Sequence, residues 1–245
     1  RKMRAASARG LLDLSGLGED DCSRLLGLLA SAVSRAPATL ESDADASFAK
    51  TLPVFPAADG SRVEIASAQY AVVPPSCFHQ PSEGRLLRYL PEARGLYRRL
   101  GVPELSDAQI LAQFVVPRLR DMPEGEMAAA MEHIVSQWGA LREDRVLVDA
   151  LRGCPFVTTR AARSGAQGAA LRCASELLDP GHPVLSTAFQ DDARFPGGRF
   201  AEARWAPLLR DIGMRCEIDA PTLEECARAV ETRWAAFAGR GGGEL

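Results

Sequence analysis

The chain has 245 residues, 47% of them apolar, and a formal charge of only -3. That is enough chain to bury a substantial core, and it predicts a soluble globular protein of one domain or two closely packed ones. No apolar run approaches the roughly 20 residues that a bilayer requires, which argues against a membrane partner, and the acidic balance argues against a nucleic-acid partner.

Arginine carries nearly all of the positive charge, since Lys2 and Lys50 are the only lysines, a bias of the kind that genome composition imposes. Arg85, Arg88, Arg94, Arg98 and Arg99 form a local basic cluster, read as a solvated helix face because acidic residues offset it. The six cysteines, Cys22, Cys77, Cys154, Cys173, Cys216 and Cys226, include no C-x-x-C pair, a pattern expected of reduced core residues in an intracellular, cytoplasmic protein. The Arg- and Ala-rich opening reads as an internal linker rather than a transit peptide, and Gly239-Arg240-Gly241-Gly242-Gly243 as a flexible one, so the chain is expected to be a segment of a longer protein.

In chain order, Cys22, Leu25, Leu26, Leu29 and Val33 recur at helical spacing and predict a helix from about Asp20 to Ser34, capped by Asp20 or Asp21. Residues from Arg35 to Lys50 are small, acidic and Pro-containing, and mark a possible boundary. Thr51 to Phe55 and Arg62 to Ile65 flank Asp59-Gly60 and predict a β-hairpin, because glycine tolerates the positive φ of the turn. Pro53 assigns its strand to an edge, and Tyr70 to Val73 supply a possible third strand.

A helical block follows. Pro91-Glu92 opens a helix that buries Leu96, Tyr97 and Leu100 and stops at Gly101; Ser106 and Gln109 make a capping box; Pro117 kinks or ends the helix behind them. Pro123 opens another, with Met127, Met131, Ile134, Val135 and Trp138 as an apolar stripe of the kind that buries against other helices. Beyond Leu147 to Leu151, Cys154 to Thr159 reads as a strand to which Ala169 to Cys173 return antiparallel, a loose repeat of the first strand pair. One helical turn at Ala174 to Leu178 stops at Asp179-Pro180. Helices are then expected over Arg199 to Ile212 and behind a Thr222-x-x-Glu225 capping box, the last burying Leu223, Cys226, Ala227, Val230, Trp234 and Phe237. The sum is an α+β fold, mostly helical with two small antiparallel β-units: a lead-in over 1–48, a module over 49–238 and a linker over 239–245.

Chemistry-bearing patterns are sparse. Gly16-Leu17-Gly18 imitates half of a dinucleotide fingerprint, but Glu19, Asp20 and Asp21 would repel a pyrophosphate, so a helix cap is the better reading. Neither lysine follows a glycine as a P-loop requires. Cys77-x-His79 has no second ligand pair at finger-like spacing; His182, Ser186 and Asp191 share one short stretch without a nucleophile elbow; Asp191-Asp192 fits a solvated pair. Cys154 precedes Pro155 in an apolar strand and reads as inert core, leaving a cysteine hydrolase built on Cys154 or Cys77 as the alternative to a non-catalytic chain. No catalytic, cofactor-binding or metal residue is assigned, and no cofactor is expected.

Several of these elements occur in an order that resembles the repeats of the sacsin-like proteins, very large chaperone-like chains. The resemblance rests on Leu52-Pro53-Val54-Phe55 with Asp59-Gly60, on Leu96-Tyr97-x-x-Leu100-Gly101-Val102 leading to Leu111 and Val116-Pro117, on Pro155-Phe156-Val157, on Ser175-Glu176-Leu177-Leu178-Asp179-Pro180, and on Phe195-Pro196 before Leu209-x-x-Ile212-Gly213-Met214. Leu178, where the pattern has an aromatic, and the Arg160 to Gly168 insertion depart from it. In that family each repeat pairs an ATPase of the heat-shock-ninety kind with a long carboxy-terminal part. The resemblance implies that this chain is the latter, since such an ATPase holds magnesium through an asparagine and the chain contains none. It further implies a scaffold or interaction module of a co-chaperone in protein folding or quality control, with clients, neighbouring domains or heat-shock chaperones as partners. Relatives with a RING finger make the substrate-recognition arm of a ubiquitin ligase a further alternative.

Overall fold

The computed structural model describes residues 18–35, 43–57, 60–65, 68–72, 74–75, 86–160, 171–189 and 194–241. The chain is mostly helical, with two small sheets of two strands each. It divides into two compact units, residues 1–110 and 111–245. Among the described residues no helix is long and apolar enough to cross a membrane.

In the first unit, α1 (Glu19–Arg35) starts one residue before the expected cap, with the Gly18 carbonyl accepting from Cys22 N–H. Its Cys22, Leu26 and Ala30 join one core with Ala49 of α2 (Asp43–Lys50), Phe55, Tyr70, Leu96, Tyr97 and Leu100. The opening helix is therefore part of this unit rather than a separate lead-in, because its apolar face finds its cover here. The hairpin forms: β1 (Phe55–Pro56) pairs antiparallel with β2 (Arg62–Val63), and Gly60 takes a φ of 87°. Asp59 lies outside the described residues. The stretch before Phe55 is a turn, in which Thr51 N–H donates to the Phe48 carbonyl at 3.1 Å, so the first strand is shorter than its apolar pattern predicts.

The second sheet is not the one expected. β3 (Gln69–Tyr70) pairs parallel with β4 (Leu86–Leu87), within the same unit as the hairpin. Downstream, α3 (Arg94–Arg99) follows a 3-10 turn at Pro91–Ala93, buries Leu96 and Tyr97 as predicted, and gives way to Gly101. The Ser106–Gln109 capping box closes in both directions, at 3.0 and 3.2 Å, ahead of α4 (Asp107–Ile110).

The second unit opens with a π turn at Leu111–Val115 and a 3-10 turn at Val116–Arg118, the irregular ending that Pro117 imposes. α5 (Glu124–Ser136) and α6 (Trp138–Leu141) bury Met131, Ile134 and Trp138, and α7 (Arg145–Arg152) is capped by the Asp144 carboxylate at Val146 and Leu147 N–H. The antiparallel strand pair foreseen at Cys154–Thr159 shrinks to a single bridge, Val157 with Arg172, which exchange both backbone bonds. Pro155 has no N–H to extend it, and the chain beyond Val157 turns to another partner: Arg160 N–H donates to the Phe195 carbonyl and Gly197 N–H to that of Thr158. A Cβ on Gly197 would stand 2.3 Å from the Thr159 carbonyl, so this crossing requires glycine.

The turn Ala174–Glu176 ends at Leu177, two residues before Asp179-Pro180, because Leu177 is already extended and its carbonyl accepts from Arg215 N–H. Leu178 and Asp179 bond onward to Arg194 and Arg215, which stitches this stretch into the unit. α8 (Pro183–Ala188), two 3-10 turns spanning Gly198–Trp205, α9 (Ala206–Asp211) and α10 (Ala220–Gly241) complete the chain. The helix expected over Arg199 to Ile212 is thus broken before Ala206. α10 runs three residues into the stretch read as a glycine linker, and residues 242–245 lie outside the description.

Candidate functional site

The residues singled out for chemistry are not assembled for it. Cys154 is half-buried with its Sγ 3.5 Å from the Val116 carbonyl, and burial, with Cys173 nearby, pushes its thiol up, away from a nucleophilic thiolate. Cys173 is likewise raised by burial. His182 is the N-cap of α8; Ser186, one turn on, donates its hydroxyl to the Pro183 carbonyl, and Asp191 lies outside the described residues, as do Asp192, Cys77 and His79. Among the described residues no group of three or more His, Cys, Asp or Glu is placed to hold a metal.

Two polar arrangements are internal ties. In the first unit the Tyr70 hydroxyl donates to Glu104 at 2.9 Å, and Arg94 and Arg98 approach the same carboxylate at 3.2 and 3.8 Å. The tyrosine bond and the arginines hold Glu104 below the ordinary carboxylate range, and Tyr97 beside them is pushed up to about 12 by burial, with Glu92 and Tyr70 adding to it. In the second unit Asp179, 3% exposed, accepts from Arg210 Nε at 2.7 Å and from Gly181 N–H at 2.8 Å, at the edge of a cavity of about 280 Å³. Each of its oxygens already has a partner within the protein itself.

The feature left over is on α10. Asp219 caps this helix, taking Thr222 N–H at 2.8 Å, so the cap sits three residues before the expected Thr222, and Glu225 serves another purpose. Glu225 takes Arg194 at 2.7 Å and Arg215 at 3.6 Å, and the Arg194 hydrogen bond holds its carboxyl below the usual range. Arg194 also lies over the Phe189 ring, 4.3 Å from its centroid. These contacts press one side of α10 onto a core of Leu178, Leu185, Ala188, Phe189, Phe195 and Cys226. Further along, the Arg233 guanidinium donates to the Thr187 and Ala188 carbonyls at 2.8 and 2.7 Å and so satisfies the open end of α8.

With that side pinned, the other side of α10 faces outward. Leu223 is 58% exposed, Val230 51%, Trp234 71% and Phe237 73%, with Ala227 exposed among them. This corrects the expectation that these residues form the buried face: only Cys226 of that set is buried. The rings of Trp234 and Phe237 stack on each other, centroids 6.2 Å apart. Toward the start of the helix, Pro183 and Val184 of α8 rise opposite Leu223, Ala227 and Val230 to make an open groove of about 680 Å³. Sequence periodicity finds the stripe but not its exposure, because exposure depends on which side the flanking arginines clamp. No protein-family model, no curated protein and no solved structure matches this chain.

Proposed function

We propose that this chain is a non-catalytic interaction module of a sacsin-like co-chaperone, cytoplasmic, which holds clients or neighbouring domains in place during protein folding or quality control. The observation that carries the reading is the apolar seam of α10, whose four large side chains stand more than half exposed on a helix otherwise fixed to its unit. A patch of this kind marks an interaction surface. The resemblance of the motif order to the sacsin repeats supports the chaperone context, and the lack of asparagine in the sequence supports a non-catalytic role for this chain within such a protein.

The test combines two measurements. Light scattering of a heat-unfolding reporter enzyme should rise more slowly in the presence of the chain, and Val230→Asp should remove most of that protection. Titration calorimetry with magnesium and ATP should give no binding heat; saturable micromolar binding would overturn the reading.

A further inference from the structure

Resting on that reading, we infer that the α8–α10 groove and the seam beyond it take an amphipathic helix of a partner protein whose apolar stripe is flanked by lysine or arginine, one of which pairs with Glu231. Leu223, Ala227, Val230, Trp234 and Phe237 follow one another at alternating steps of four and three, the spacing of a coiled-coil seam, and all are exposed. Such a seam is complemented by side chains entering from a second helix. From Leu223 to Phe237 it runs about 21 Å, which a partner helix of about 14 residues covers.

Charge selects among the helices that could lie there. Glu231 is the one charged side chain among the described residues that line the groove. On the same flank Glu224 is already paired with Arg228 at 3.1 Å, and on the other flank Arg233 is engaged by the α8 carbonyls. Covering Glu231 with an uncharged or acidic helix would strip its water and return nothing, whereas a cation beside the apolar stripe would replace the water directly.

A second copy of this chain does not meet that requirement. Antiparallel pairing over the whole seam, Val230 on Val230, sets Glu231 against Glu231 of the other copy and Arg233 beside that copy's Cys226. Parallel pairing sets Glu231 opposite Cys226, which is buried in its own unit. Neither arrangement gives the carboxylate a cation.

The experiment uses the full chain and two fluorescent designed peptides of about 14 residues, with the same leucine stripe flanked by lysines in one and by glutamates in the other. Anisotropy titrations should show the lysine peptide binding at least about tenfold more tightly, with the gap closing at about 1 M salt, where the screening length is about 3 Å. Glu231→Lys, on an exposed face, should keep the circular dichroism of the parent and reverse the preference. Equal binding of both peptides would overturn the partner chemistry while leaving the interaction reading in place. Binding of neither, by a chain that sedimentation finds monomeric, would overturn both. A concentration-dependent dimer abolished by Val230→Asp would make a second copy the occupant and would also overturn the inference.

Discussion

α5 and α10 present the same kind of apolar pattern and meet opposite fates. In α5 and its continuation the stripe is covered: Met131 and Ile134 are buried, and the Trp138 indole, buried as well, donates to Asp211 at 2.8 Å. In α10 the stripe of Leu223, Val230, Trp234 and Phe237 stands open, while the polar residues Glu225 and Arg233 and the small Cys226 make the contacts to the unit. Helical spacing decides which residues share a face; whether the face is buried is decided by what the rest of the unit brings to it. The difference separates a stripe that stabilises the fold from one left for a partner.

The largest effect that would sharpen this contrast is Ile134→Ala, which opens a cavity in a fully buried position and should lower stability by about 2–5 kcal/mol in chemical denaturation. A loss no larger than that of a surface substitution would mean that α5 is not core. Gly197→Ala probes the covered part of the same unit by overpacking instead. Its Cβ would collide with the Thr159 backbone at 2.3 Å, and a loss of about 1–3 kcal/mol is expected. Asp144→Ala removes the carboxylate that caps α7 at Val146 and Leu147 N–H and should cost about 1 kcal/mol, with Asp144→Asn recovering most of it.

A smaller effect, confined to acid, is expected of Glu104. Its folded-state pKa lies below the unfolded one, so the stability it contributes is present above about pH 4.3 and lost as the pH falls through the lower folded value. Thermal melts from neutral to acid pH should therefore fall less steeply in Glu104→Gln than in the parent. Trp234→Ala closes the series: removing a ring that is 71% exposed should change stability by less than about 0.5 kcal/mol, against the several expected of a buried tryptophan. A large loss there would mean that the seam is covered within the chain, and the contrast between the two helices would collapse.

By itself the sequence determined the elements whose causes are local. The Ser106–Gln109 box, the Asp59-Gly60 hairpin signal, the helix that yields at Gly101 and the proline-broken end at Pro117 each follow from residues within a turn of one another, and the described parts of all of them form. Tertiary structure decided whatever depended on a distant partner. Leu86–Leu87 become a strand by lying beside Gln69–Tyr70, with Ala57 bridging Leu87, and the Cys154–Thr159 stretch makes one bridge to Arg172 because Thr158 to Arg160 bond to Phe195–Gly197 instead. The outward face of α10 belongs to the same class: Arg194, Arg215, Thr187 and Ala188 hold the helix by its other side, and a hydrophobic periodicity carries no information about which side such contacts will choose.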